Sequence, residues 1–283
     1  TDCLFSDYGK KSKEQLALLN TIIADPRANS TMKGMAQSML GYHYESIGDF
    51  KKALVEFNKL GTINNWQVVG TFENISGSGF NKDFQVLQNP KSDATFKNSV
   101  DAKVNWFEVK DVRNDKWFDF SYHFVYSNSI MYAQTFVMSD VDQDVIMRTG
   151  VSGSLKVWLN DNLIVTESEE RNADIDLFSH KVKLNKGYNR ILVQVGESEA
   201  DRANFLLRFT DANDKLITNL QASSSYQDYA KAANVKAELI PFFAEDYFIQ
   251  KLKTTPDNFI DLIMLSETYL RNDKAYESRK TLS

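Results

Sequence analysis

The sequence predicts an α+β protein in which an antiparallel β-sandwich lies between two helical segments. Apolar residues recur three and four positions apart from Ser12 to about Leu60, which indicates helices. From Trp66 to about Leu220 the period changes to two, which indicates strands, and afterwards the helical spacing returns. The three predicted segments are residues 1–64 (helical), 65–220 (β-sandwich domain) and 221–283 (helical).

Three helices are predicted in the first segment, separated by turns at Asp25-Pro26 and Ile47-Gly48-Asp49. The second and third carry a repeat pattern, which reads Leu40-Gly41-x2-Tyr44-x3-Gly48-Asp49-Phe50-x2-Ala53-x3-Phe57. Small residues at positions 41 and 53 allow two helices to approach closely while the large residues fill the space between them. The pattern resembles a tetratricopeptide repeat unit running from about Gly34 to Gln67, with departures at Gln37 and Leu60.

The middle segment contains short strand-like runs separated by turn residues. The runs include residues 66–72, 104–109, 117–124, 131–138, 144–148, 155–159, 181–184, 191–195 and 205–209. Asn160-Asp161-Asn162 predicts a tight hairpin, because Asn and Asp tolerate the positive φ that such turns require. Asn185-Lys186-Gly187 is interpreted in the same way. Connections this short favour antiparallel pairing.

The last segment is predicted to be helical. Helical spacing begins with Tyr226, Tyr229, Ala230 and Ala233, and Pro241 is expected to start a further helix. The run from Leu265 to Tyr269 repeats the Leu-small-x2-Tyr pattern of the first repeat. Since no capping signal precedes Ser283, we expect the natural chain to continue beyond it.

Four pieces of the middle segment carry a further resemblance. They are Trp66–Asn74 with Gly79-Phe80, Tyr132–Val137, Leu155–Asn160 and Leu184–Val193. These pieces resemble the galactose-binding-like jelly roll of multidomain surface proteins from Bacteroidetes-type bacteria, which accompanies tetratricopeptide repeats. The resemblance implies an extracytoplasmic location, periplasmic or at the cell surface. Some proteins with this arrangement continue into a transglutaminase-like or protease-like domain.

Composition narrows the classes of partner. The chain has 283 residues with 33 Lys+Arg against 38 Asp+Glu, a net charge of −5. Nucleic acid is not an expected partner, because its binding needs clustered positive charge. The sequence contains no run of about 18 apolar residues, so it predicts no membrane-spanning helix. The lone Cys3 excludes an intrachain disulfide, and it is interpreted either as a free thiol, which we favour, or as the lipid-bearing cysteine of a lipoprotein.

Enzymatic activity is not predicted. Nucleophilic hydrolysis needs a Ser or Cys activated by an oriented His, and the three histidines, His43, His123 and His180, have no nucleophile motif nearby. The run Ser139–Asp144 holds three carboxylates two apart, so a calcium site is an alternative to a solvated loop. The loop interpretation is favoured, and no metal or cofactor is assigned.

Aromatic residues are the remaining binding signal. Trp66 and Trp158 have aliphatic neighbours and are predicted to lie in the core, whereas Trp106 and Trp117 adjoin polar residues. The candidate ligand-binding residues are Trp106, Trp117 and Tyr122. The leading functional hypothesis is a non-catalytic binding or scaffold fragment with a protein or peptide partner. The alternatives are a carbohydrate-binding β-sandwich and the non-catalytic front part of a larger transglutaminase-like or protease-like enzyme.

Overall fold

The computed structural model describes residues 12–98, 100–109, 113–200, 202–217, 219–231 and 236–283. The helices in these residues are α1 (Ser12–Ala24), α2 (Ser30–Ser46), α3 (Phe50–Asn58), α4 (Phe243–Thr254), α5 (Phe259–Arg271) and α6 (Ala275–Thr281). The strands are β1 (Trp66–Glu73), β2 (Thr95–Lys97), β3 (Lys103–Asn105), β4 (Phe107–Val109), β5 (Phe118–Asp119), β6 (Ser129–Ser139), β7 (Gln143–Leu159), β8 (Asn162–Asn172), β9 (Phe178–Leu184), β10 (Gly187–Glu197), β11 (Asn204–Asp211), β12 (Gln221–Ser223) and β13 (Glu238–Ile240). Short 3₁₀ turns lie at Ile75–Gly77 and Phe120–Tyr122.

The middle of the chain is an antiparallel β-sandwich, as the alternation predicts. The long strand β7 belongs to both layers. Its first half pairs with β9 and β11, and its second half pairs with β8 and β10. One layer is β13-β9-β7-β11-β5, and the other is β8-β7-β10-β6-β1-β4 with β12 against β6.

The core of the sandwich is filled by alternate side chains of the central strands. Met147 of β7, Val193 of β10 and Phe205 of β11 are fully buried there together with Trp66. The Trp66 indole N–H donates to the Ile63 carbonyl at 2.9 Å, so this ring is buried without an unsatisfied donor. The core position predicted for Trp66 is confirmed.

Strand β7 corrects one expectation, since residues 144–148 and 155–159 were predicted as separate runs. They form one strand that bends at Gly153, which has φ of 116° and lies at a bulge opposite β8. A Cβ at this position would lie 2.6 Å from the Gly196 carbonyl oxygen. A bulge at a glycine lets a strand leave one layer for the other, whereas a local pattern shows only a gap between two runs.

The two predicted turns have different outcomes. Asn160 and Asp161 have φ of 49° and 66° and join β7 to β8, so this hairpin is confirmed. The turn from Asn185 to Gly187 is not a hairpin, because β9 pairs with β7 and β13 while β10 pairs with β6 and β7. It carries the chain between the layers, and the Asn189 side chain bonds both the N–H and the carbonyl of Asn185, each at 2.8 Å.

The three helices predicted before Leu60 are confirmed, and they cover the outer face of the layer that contains β11. Phe57 of α3 packs with Ile175 and Leu206 of the sandwich. At this joint Arg208 and Asp176 form an ion pair that is almost completely buried. Arg208 also donates to the Ser30 carbonyl at 2.9 Å, which ties the start of α2 to the sheet.

The outer face of the other layer is covered by the segment that follows β1. Phe72, Tyr132 and Leu192 form a second buried cluster there with Trp106. Arg190, which is buried, holds this covering segment by donating to the Leu87 carbonyl at 2.6 Å. Both faces of the sandwich are therefore covered by other parts of the chain.

The prediction of a helix from Tyr226 onward is wrong. The described residues 221–231 form β12 and an irregular segment, in which Tyr226 and Tyr229 pack on Phe136 with ring centroids 5.5 and 5.9 Å away. Ala233 lies outside the described residues. The tyrosine spacing is set by packing on a strand, so a period near three does not report a helix here.

Helices α4 to α6 pack on one another next to the amino-terminal helices. The end of α5 is joined to the strand connection after β8, because the Asn272 side chain accepts a hydrogen bond from the Asp174 N–H at 2.9 Å and Arg271 pairs with the Asp174 carboxylate at 2.9 Å. Within the described ranges, no helix is long and apolar enough to cross a bilayer.

Candidate functional site

A cleft of about 560 Å³ lies where α2 meets the segment around β5, and we call it the polar cleft. Residues from α2, from the turn before β5, from β5 and the 3₁₀ turn after it, and from the connection before β11 line it. They are Tyr42, Glu45, Arg113, Asn114, Asp115, Asp119, Ser121, Tyr122, Tyr126 and Arg202. Its position between a helical segment and the sandwich is typical of ligand pockets.

Helix α2 supplies one wall. The helix begins at an Asn29 cap, whose side chain accepts a hydrogen bond from the Met32 N–H at 2.8 Å. Tyr42 and Glu45 are three positions apart and therefore share a face near the other end of the helix. The Tyr42 ring packs edge-on against the buried Phe57 at 5.2 Å, which fixes its orientation.

The opposite wall is a network of paired charges. Arg113 donates to Asp115 at 2.5 and 3.1 Å and to Asp119 at 3.2 Å. The Tyr42 hydroxyl donates to the same Asp115 carboxylate at 2.9 Å. The network therefore links α2 to the turn before β5 and holds the side chains of the cleft in place.

Local backbone geometry sets up this wall. Lys116 has φ of 70° and closes a turn by donating its N–H to the Arg113 carbonyl at 3.0 Å. Asp119 then accepts hydrogen bonds from the Ser121 N–H at 2.9 Å and the Ser121 hydroxyl at 2.6 Å. This capping interaction begins the 3₁₀ turn that carries Tyr122 into solvent at the cleft.

Burial and neighbouring charges set the ionisation of the cleft. Burial, and then the Asp115 charge, raise the pKa of Tyr42 well above its ordinary value, so its hydroxyl stays a neutral donor. Burial opposes the charged form of Arg113, but the hydrogen bond and charge of Asp115 and the hydrogen bond to Asp119 raise its pKa above the usual value. Burial lowers the pKa of Lys116. The cleft thus presents fixed donors and acceptors at neutral pH.

The three predicted ligand-binding residues lie in different places. Tyr122 is 60% exposed and lines the polar cleft. Trp117 is half-buried and lines an adjacent apolar groove. Trp106 is buried in the cluster under the covering segment, where its N–H donates to the Asn89 carbonyl at 3.1 Å. The structure brings Tyr122 and Trp117 to neighbouring cavities and places Trp106 in a core.

Several cleft residues were not anticipated from the sequence. The sequence patterns do not single out Tyr42 within the repeat helix or Arg113 and Asp115, and they mark Asp119 only as a polar neighbour of Trp117. Alternating charges between aromatic residues in 113–122 were the available signal. That signal is weak, because such runs are common in exposed loops.

The other candidates have structural contacts. Asp142 of the acidic run accepts a hydrogen bond from the Lys186 N–H at 2.7 Å. His180 is buried, and this burial lowers its pKa. The rings of His43 and His123 pack against Tyr44 at 5.6 Å and Phe118 at 5.4 Å. Among the described residues there is no group of three or more His, Cys, Asp or Glu arranged to hold a metal.

Comparison with known proteins gives partial structural likenesses. No family model matches the sequence, and no curated protein matches it. A β-glucosidase from Kluyveromyces marxianus is 20% identical, with a TM-score of 0.31, over 40% of this chain and 15% of the enzyme. The PA14 domain of the MpAFP antifreeze protein is 12% identical, with a TM-score of 0.26, over 36% of this chain and 55% of that domain. An α-xylosidase from Xanthomonas citri is 11% identical, with a TM-score of 0.22, over 51% of this chain and 14% of the enzyme. This chain thus spans only a small part of the two glycosidases.

Proposed function

We propose that the protein is a carbohydrate-binding module and that the polar cleft holds the sugar. The observation that carries this proposal is the exposed ring of Tyr122 beside the fixed network of Arg113, Asp115 and Tyr42. Sugar rings have apolar faces that stack on aromatic side chains and hydroxyl edges that need both donors and acceptors. A cleft that offers an aromatic face and orienting polar groups matches both requirements.

The charges of the cleft favour a neutral ligand. Glu45, Asp115 and Asp119 contribute three carboxylates, against the guanidinium groups of Arg113 and Arg202. Arg113 is already paired with two of the carboxylates. Since the carboxylates are not outnumbered, a phosphate or sulfate would meet more repulsion than a hydroxyl-bearing ligand.

A glycan array followed by isothermal titration calorimetry of the best sugar tests this proposal. Tyr122→Ala should weaken binding by about 1–2 kcal/mol, or roughly 5- to 30-fold in Kd, because it removes the stacking surface. Tyr276→Ala is the matched control, since Tyr276 is 66% exposed but lies on α6. Silence on the array, or equal losses in the two variants, would contradict the proposal.

We propose protein binding as a second function, favoured by a different surface. Helix α5 exposes Phe259, Ile260, Ile263 and Met264, which are three and four positions apart and form an apolar row. An amphipathic helix of a partner would match such a row. Ile260→Asp should abolish binding of such a partner helix. Val141→Asp, which changes another exposed apolar position, should leave that binding unchanged.

We propose that α2 and α3 form a tetratricopeptide unit, that the sandwich is of the galactose-binding-like jelly-roll type and that the protein works outside the cytoplasm. The contact at Gly41 supports the first of these, because a Cβ there would lie 2.3 Å from the Phe57 ring, and close helix approach is what the repeat requires. Fractionation of native cells with an antibody against the chain would test the location.

A further inference from the structure

A second cavity of about 360 Å³ adjoins the polar cleft, and we call it the apolar groove. It lies between α1 and α2 on one side and the strand connection around Ile175 on the other, with Phe243 of α4 at its edge. Its charged lining residues are Asp174 and Arg271, which pair with each other at 2.9 Å. The groove therefore offers an apolar surface without an unpaired charge.

The two cavities share the lining residue Tyr42 and follow one another along one face of α2. Met32, Met35, Met39 and Tyr42 line the apolar groove, and Tyr42 and Glu45 line the polar cleft. Successive spacings of three and four put all five on one side of the helix. At 1.5 Å per residue these five side chains extend over about 20 Å of the helix. The surface that they form changes from apolar to polar at Tyr42.

The opposite wall has the same polarity change. Trp117, which lines the apolar groove, donates its backbone N–H to the Asp115 carboxylate of the polar cleft at 3.3 Å. Three methionines on the α2 side form a polarisable surface that adapts to flexible apolar groups. A ligand seated against Tyr42 can thus reach both environments at once.

We infer that the ligand is a saccharide carrying an apolar substituent, with its sugar in the polar cleft and its substituent in the apolar groove. This inference rests on the proposed function. The groove volume lies within the range of about 300–1,000 Å³ found for small-molecule pockets. Burial of a short alkyl chain there would add affinity in proportion to the apolar area removed from water.

Paired glycosides with the same sugar test the inference. Methyl and hexyl β-glycosides of glucose, galactose, mannose and N-acetylglucosamine would be titrated calorimetrically, below the concentration at which they aggregate. For the sugar that binds, we expect the hexyl form to bind about 30-fold more tightly, from burial of roughly half of its additional methylene groups.

Two leucines provide the matched variants. Leu18→Glu places a charge on the apolar groove at a residue that is 50% exposed, and Leu54→Glu makes the same change on α3 at a residue that is 41% exposed. Leu18→Glu should remove the gain from the hexyl chain without changing methyl glycoside binding, and Leu54→Glu should leave both unchanged. A blue shift of tryptophan fluorescence with the hexyl form, absent in Trp117→Phe, gives an independent readout.

The outcomes separate the two proposals. Equal binding of methyl and hexyl forms, or a hexyl gain that survives Leu18→Glu, would overturn this inference and leave carbohydrate binding in place. Failure of every glycoside to bind, with no fluorescence change, would overturn both. Tighter binding of the hexyl form that is lost in Leu18→Glu, together with a fluorescence shift that is lost in Trp117→Phe, would support both.

Discussion

Asp176 lies at the joint between the amino-terminal helices and the sandwich, and its replacement tests what holds them together. Its carboxylate, which is fully buried, pairs with Arg208 and accepts a hydrogen bond from the Thr31 hydroxyl at 2.9 Å. Asp176→Asn keeps the size of the side chain but leaves Arg208 with an uncompensated buried charge. Breaking one partner of a buried pair costs about 3–5 kcal/mol, and we expect a loss of about 3 kcal/mol because Asn still bonds Thr31.

Urea unfolding followed by tryptophan fluorescence measures this loss. The matched control is Asp101→Asn, which breaks an exposed pair with Lys97 and should cost no more than about 1 kcal/mol. A loss in Asp176→Asn as small as in the control would show that the buried pair does not hold the joint.

The pH dependence gives a second check on the same residue. Burial opposes ionisation of Asp176, but the charge and hydrogen bonds of Arg208 lower its pKa below the ordinary value of 3.8. A lowered folded-state pKa means that the stabilisation is present above the unfolded-state pKa and is lost as pH falls towards the folded-state pKa. The difference between wild type and Asp176→Asn should therefore shrink below about pH 4. A difference that stays constant down to about pH 3 would contradict the assignment of the stabilisation to the charged form.

Three further predictions concern single positions. Lys116→Gly should raise the free energy of unfolding by about 0.5–1 kcal/mol, because Lys116 has φ of 70°, and thermal melting would show the gain. Gly153→Ala should lower the free energy of unfolding by about 2 kcal/mol or more, since φ is 116° and the new Cβ would meet the Gly196 carbonyl oxygen. An unchanged melting temperature would contradict the view that the bulge requires glycine at this position. His180→Leu should flatten the loss of stability between about pH 7 and pH 5, because burial lowers the pKa of His180 and the unfolded chain therefore takes up the proton first as pH falls; parallel wild-type and variant curves would refute this.

Local sequence patterns predicted most of the elements. The helices before Leu60 and the strands from β6 to β11 follow the spacing of apolar residues, because one face of each is buried in the sandwich or against it. The hairpin at Asn160-Asp161 follows from residues that tolerate positive φ. The same patterns were wrong where packing alone sets the spacing, as for Tyr226 and Tyr229 on Phe136.

The amino-acid sequence by itself determined the class of the protein: which stretches form helices or strands, and the absence of clustered positive charge. Periodicity determines the helices and strands because it reports which face of each element is removed from water. The tertiary structure alone decided that Tyr42 meets Asp115, which is 73 positions away, that Trp106 is buried and that Tyr122 and Trp117 line adjoining cavities. The positions of Tyr42, Tyr122 and Trp117 depend on how the helices dock on the sandwich through Arg208, Asp176 and the apolar contacts around Phe57. The burial of Trp106 depends on the segment that follows β1 and covers the other face. No local pattern contains either of these contacts.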